Sequence, residues 1–331
     1  MTEPGGVAGG RRPSTAVPRA QAGNGRVASA LPTFARSARR GEARTAYAMA
    51  GPALLVVGLF TLYPIAYALR GSLYTLSPIL PSSYVGLTNY GLVFGSPYFG
   101  FALERTALFA LATVPTVLVI GVLAAALLTQ RFRGDLLVKI ALLFPWAIPA
   151  TASGVLWKGI FADSWGALNA VSFKLGLIHD YAPWLTTPHL AFTAVAIAQI
   201  WAQFPLATVL LLAAMQAIPH DLYEAAALDG AGGLRMFGSI TLPHIQPMAL
   251  IVALFETLLA LTTFDLLFAL TGGGPGTATT VLSYFIWSET FKMLSFGKGM
   301  ALAVIIAAMA LVLIAALMRL MPADALLGAE S

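Results

Sequence analysis

Six apolar stretches decide what this chain can fold into, because each approaches or exceeds the roughly 20 residues that carry a helix across about 30 Å of hydrocarbon at 1.5 Å per residue. They cover residues 46–69, 107–128, 140–157, 190–215, 247–270 and 300–318. Only the fifth contains an acidic or basic side chain, Glu256 with Asp265. Of the 331 residues, 58% are hydrophobic and 10% charged, against about 25% charged in an ordinary soluble domain. Too few polar side chains remain to cover a water-soluble surface. A segment in lipid must satisfy its own backbone groups, so the expected architecture is an all-α membrane protein with six transmembrane helices.

Lys and Arg set the orientation, since loops rich in them stay on the cytoplasmic side. Residues 1–45 hold Arg11, Arg12, Arg19, Arg26, Arg36, Arg39, Arg40 and Arg44, and the short second-to-third loop adds Arg131, Arg133 and Lys139. Both termini are therefore expected to be cytoplasmic, with a permease domain over 46–320 between a tail at 1–45 and a short C-terminal piece at 321–331. The tail is rich in Gly, Ala, Pro, Ser and Arg without apolar periodicity, a composition expected to stay disordered; its acid-poor, Arg-rich character also matches an organelle transit peptide. The net charge of +5 reports topology, and there is no folded basic surface for a nucleic acid.

Several chemistries are excluded by residue content. The chain has no Cys, which removes disulfides and thiolate chemistry. His179, His189, His220 and His244 fall in loops or at span boundaries, and no HExxH occurs. The Thr271-Gly272-Gly273-Gly274-Pro275-Gly276-Thr277 run lacks the Lys that a phosphate-cradling loop needs, and reads as a sharp turn.

The most specific segment is the expected cytoplasmic loop 216–244 between the fourth and fifth stretches. It contains Asp221-Leu222-Tyr223-Glu224-Ala225-Ala226, then Asp229-Gly230, then Ile240-Thr241-Leu242-Pro243. The spacing predicts a short helix over 222–229, capped by Asp221 with Glu224 three residues on and stopped by Gly230 in a left-handed conformation. Small Ala side chains on it would let a partner approach closely.

Glu224-Ala225-Ala226, three residues, Gly230, nine residues, then Ile240-Thr241-Leu242-Pro243 resembles the EAA loop of ABC importer permeases. Phe264-Asp265, Leu270-Thr271-Gly272-Gly273-Gly274-Pro275 and Ser283-Tyr284 further resemble the larger subunit type of the carbohydrate-uptake permeases, which includes the maltose and glycerol-phosphate permeases. The resemblance covers about residues 46–320 and implies the type I importer fold. It also implies a function: one half of the translocation pathway of an ATP-driven importer for a di- or oligosaccharide or a related polyol. Leu222, Glu224, Ala225, Ala226, Asp229 and Gly230 would dock on a separate cytoplasmic ATPase. The implied partners are a second permease subunit, ATPase subunits, an extracytoplasmic sugar-binding protein and membrane lipid. ATP and Mg2+ would bind the ATPase, leaving this chain without a cofactor or a catalytic residue.

A solute path needs polar side chains inside the bundle, because lipid exposure of such groups is costly. Gln199 and Gln203 stand one turn apart on the fourth stretch, and Glu256 and Thr263 share a face of the fifth at i and i+7. Each Gln or Thr reads equally as a ligand for sugar hydroxyls or as a hydrogen bond between helices. For Glu256 a position at a cavity is expected, since a lone carboxylate in lipid costs about 2.5–3.5 kcal/mol. Glu256 and Ala260 depart from the neutral polar residues that the maltose permeases carry on this face. The rival reading, an ion-coupled secondary transporter, would show an internal repeat with paired interrupted helices. A glycerol 3-phosphate cargo would be expected to meet Arg or Lys in the spans, where none occurs.

Overall fold

A computed structural model describes residues 47–130 and 133–319. The tail expected at 1–45, the piece at 321–331 and Arg131 lie outside the described residues. Contacts divide the chain after Phe60. Up to that residue the described chain is the first part of a helix, α1 (Tyr47–Gly71), whose apolar window carries no buried residue. From Thr61 onward the chain forms the bundle described next.

A two-stranded antiparallel hairpin follows α1, β1 (Tyr74–Thr75) with β2 (Ser83–Tyr84), in which Tyr74 faces Tyr84. Helix α2 (Thr88–Phe94) buries Asn89, whose amide donates to the carbonyls of Ser72 at 2.7 Å and Tyr74 at 2.9 Å. That side chain satisfies two backbone carbonyls at the root of the hairpin. The second and fourth spans are α3 (Pro97–Leu128) and α7 (Pro188–Gln216), each with proline in its first turn, where a missing N–H costs nothing. Between them lie α4 (Asp135–Ala147), α5 (Ala150–Ile160) and α6 (Ala167–Lys174). Helix α8 (His220–Leu228) leads to the fifth span, α9 (Gly233–Thr262), and to α10 (Asp265–Leu270). Helix α11 (Leu282–Trp287) precedes the sixth span, α12 (Phe296–Met318).

Two expected spans need correction. The stretch 140–157 is a pair of helices, α4 and α5, meeting at 97°. Pro149 has no N–H to donate, and its ring drives the preceding residue out of the helical region; Ile148 has φ −80° and ψ 129°. The stretch 247–270 is also interrupted. Helix α9 ends at Thr262, Thr263 takes ψ 118°, and Asp265 opens α10. The hydroxyls of Thr262 and Thr263 donate to the carbonyls of Leu258 and Leu259, competing locally with the backbone ladder. Asp265 then occupies a helix first turn, where the dipole favours an acid.

The core shows which way the helices run. One cluster joins Val117, Ala125 and Leu128 of α3 with Ala207, Leu211 and Met215 of α7 and Ile245 and Val252 of α9. Another joins Phe109 of α3, Val195 and Ala198 of α7, Ala260 of α9 and Leu266, Leu267 and Leu270 of α10. So α3 and α7 are parallel and α9 is antiparallel to both. The bent pair makes the return crossing between them: Leu142 of α4 packs on the first cluster and Trp157 of α5 on the second. With that crossing counted, the described residues form up to six candidate spans.

Helices in an apolar solvent gain contact through small residues that let backbones approach. A Cβ on Gly121 of α3 would sit 3.2 Å from the Ala207 Cβ of α7, and one on Gly154 of α5 only 2.7 Å from both the Ala269 Cβ and the Leu266 carbonyl oxygen of α10. The second contact is against backbone and cannot yield by a rotamer change. Gly154→Ala is therefore expected to lower stability by about 1–3 kcal/mol through overpacking, read as a drop in melting temperature of the detergent-purified protein. An unchanged midpoint would show that α5 and α10 can separate freely.

Candidate functional site

Both helix interruptions open onto the same space. A cavity of about 300 Å3 is lined by Trp146, Ile148 and Ala150 at the bend of the third span, and by Gln199, Ala202 and Gln203 of α7. Leu259, Thr262, Thr263, Phe264, Asp265 and Leu266, at the break after α9, complete it. Non-helical backbone within apolar spans is tolerated where it is buried in protein or faces a wet cavity, and this geometry meets that condition twice. Thr263 is tied at four points, the first its N–H on the Leu259 carbonyl at 2.7 Å. Its hydroxyl donates to the Leu259 carbonyl at 2.6 Å and accepts from Gln199 Nε2 at 3.4 Å, while its own carbonyl accepts from the Ser283 hydroxyl at 2.5 Å.

Three of the four expected path residues, Gln199, Gln203 and Thr263, come together here; Glu256 does not line this cavity. Seven residues of helix are about 10 Å of axial rise, so the space around Thr263 stops short of Glu256. Glu256 is instead buried on α9 between Val252 and Ala260, one from each core cluster, and its Oε1 has no hydrogen-bond partner among the described residues. Thr113 on α3 occupies the matching gap between Phe109 and Val117, but its hydroxyl is spent on the Phe109 carbonyl. Thr257 likewise donates to Ala253 within its own helix. The bends were not anticipated from the sequence, although Pro145 and Pro149 inside one apolar run were the available signal.

At the other end of α7 and α9 stands α8. It begins at His220, two residues earlier than expected, and no side chain caps it. Pro219, with φ −58° and ψ 132°, occupies the cap position itself, which corrects the capping role expected of Asp221. Glu224 lies 3.5 Å from the His220 ring, an exposed pairing of small energetic weight. The C-terminal stop is as the spacing predicts. Gly230 has φ +77°, its N–H reaches the Ala227 carbonyl at 3.0 Å, and Ala231 N–H reaches the Ala226 carbonyl at 2.9 Å. These two bonds form a Schellman motif. Helix α8 buries none of its residues. Leu222, Glu224, Ala225, Asp229 and Gly230 are exposed and Ala226 is half-buried. Among the described residues no group of three or more His, Asp or Glu is placed to hold a metal ion.

A bundle with interrupted spans around a polar cavity, joined by an exposed inter-span helix, defines a membrane-embedded transport subunit. The family model described as the binding-protein-dependent transport system inner membrane component matches residues 117–321. The sulfoquinovosyl glycerol transport system permease protein SmoG of Agrobacterium fabrum is 35% identical over 292 residues, 88% of this chain and 94% of that protein. The trehalose/maltose transport system permease protein MalF of Thermococcus litoralis is 36% identical over 265 residues, 80% and 89% of the two chains. A solved chain of a bacterial ABC transporter that imports the acidic polysaccharide alginate superposes with a TM-score of 0.75 at 21% identity, covering 87% of this chain and 98% of that one. The chain belongs to the family of inner membrane components of binding-protein-dependent ABC importers.

Gln199 is buried, so removing its acceptor leaves an amide donor without a partner. Thr263→Val is expected to cost about 1 kcal/mol, measured by thermal unfolding in detergent, whereas Thr263→Ser keeps the hydroxyl and should match wild type. Equal stability of all three proteins would mean that the bond contributes nothing.

Proposed function

We propose that this chain forms half of the translocation path of an ATP-driven importer for a neutral di- or oligosaccharide or a related glycoside. A second permease subunit forms the other half, separate ATPase subunits bind ATP and Mg2+, and an extracytoplasmic sugar-binding protein delivers the cargo. In this reading both termini and α8 face the cytoplasm, and the chain itself hydrolyses nothing.

The observation that carries the reading is α8. A nine-residue helix with no buried residue, held between two spans by a built C-terminal stop, presents its surface as a docking element. Leu222 is 40% exposed and Leu228 90% exposed, apolar surface that a protein partner would cover. Ala225, Ala226 and Ala227 leave room for its close approach. The sugar assignment is supported by relatives named for sugar-containing cargoes and by the cavity. Gln199, Gln203 and Thr263 offer amides and a hydroxyl suited to sugar hydroxyls, and the aromatic residues Trp146 and Phe264 line the cavity with them. Asp265 is the charged side chain of that lining and no Lys or Arg joins it, which favours a neutral cargo over glycerol 3-phosphate for this half of the path.

The test compares cells carrying wild type and Glu224→Lys for uptake of labelled trehalose, maltose and glycerol 3-phosphate, with ATPase co-purification and membrane level followed in parallel. Charge reversal on the docking face is expected to lower sugar uptake by at least about tenfold, the factor that corresponds to about 1.4 kcal/mol, and to release the ATPase at normal membrane level. Wild-type uptake by the variant, with the ATPase still bound, would overturn the docking role assigned to Glu224.

A further inference from the structure

Helix α8 buries none of its residues against the bundle. A cavity of about 580 Å3 lies against it, lined by Thr129 of the second span, Met215 of the fourth, His220 and Tyr223 of α8, and Phe237 and Thr241 at the start of the fifth. A force applied to α8 therefore reaches the spans through few connections. Its C-terminal backbone link runs through Gly230, Gly232 and Gly233, the most compliant residues available to a chain. Among the described residues one side-chain hydrogen bond leaves the helix: the Tyr223 hydroxyl lies 2.8 Å from the Thr241 hydroxyl. Thr241 is buried, 7% exposed, and closes a π-helical turn, Phe237–Thr241, that continues directly into the rest of α9. Such wide turns cluster where a helix is put to use. The same helix carries Glu256 and ends at Thr262 in the cavity lining, about 30 Å away along its axis.

We propose that Tyr223 is a positioning residue that passes displacement of α8 into the fifth span through the Thr241 hydroxyl, bypassing the flexible glycine link. This rests on the reading of α8 as the ATPase-docking helix. The Tyr ring is the rigid part: it has two side-chain torsions, is half-buried against the bundle side of α8, and bears its polar atom at the far end. Loss of the hydroxyl leaves the exposed docking residues Leu222, Glu224 and Ala225 untouched and loosens the connection to the fifth span.

The experiment uses the assembled transporter in proteoliposomes. Because the chain has no native Cys, a cysteine at Ala202, in the cavity lining, reports the state of the path through its labelling rate by an impermeant maleimide, with and without ATP, Mg2+ and vanadate. Tyr223→Phe is expected to shrink the nucleotide-dependent change in that rate by about fivefold, the scale of one lost hydrogen bond, while ATPase co-purification stays at the wild-type value. Thr241→Val should do the same, and the double variant should be no worse than either single one. A wild-type labelling response in Tyr223→Phe, multiplicative losses in the double variant, or loss of the ATPase from Tyr223→Phe would each overturn the proposal. Absence of an ATPase from the wild-type complex would overturn the docking reading as well, which separates the two failures.

Discussion

In hydrocarbon a peptide group has no water to bond, and this constraint shapes every part of the bundle. Where the chain stays helical the ladder satisfies it, and buried Thr106, Thr113 and Thr208 turn their hydroxyls back onto carbonyls one turn earlier. Where the chain cannot stay helical, at Ile148–Pro149 and at Thr263–Phe264, the freed groups need other partners. The two interruptions therefore meet at one cavity with Gln199 and Gln203. Leu282 makes the same point on a smaller scale: its N–H, in the first turn of α11, donates across to the Thr106 hydroxyl at 2.8 Å. The polar path and the broken helices are two consequences of one requirement.

The same requirement separates the two ends of the fifth span. At one end it is broken and polar; at the other it begins in the π-helical turn beneath α8. Between them Glu256 sits among the apolar residues of α3, α7 and α9 with one carboxylate oxygen unpartnered among the described residues. A group of that cost persists in a bundle only where the surrounding structure holds it. Its helix is the element that joins α8 to the cavity.

Much of this was legible in the sequence because the signals were local. Apolar length located the spans, and Gly230 after Glu224-Ala225-Ala226 fixed where α8 stops, since only glycine takes the left-handed conformation without strain. The start of α8 was misread: Asp221 has the chemistry of a cap, but Pro219 two residues earlier already sets the backbone angles. The bends were missed for a different reason. Hydropathy averages over a window, and neither Pro149 nor the paired Thr262 and Thr263 changes that average enough to mark a break. The place of Glu256 was the least legible, because facing Thr263 at i+7 holds only while the helix lasts, and the cavity lining on this helix begins at Leu259.

The central claim is that force enters at α8, on the cytoplasmic side, from a separate ATPase. The direct measurement is site-specific crosslinking from a single cysteine placed at exposed Ala227, with one at exposed Val171 of α6 as the control on the opposite side. The account predicts a crosslink between position 227 and the co-expressed ATPase that responds to nucleotide, and none from position 171. A crosslink from 171, or no ATPase adduct at 227 in a complex that transports, would contradict it.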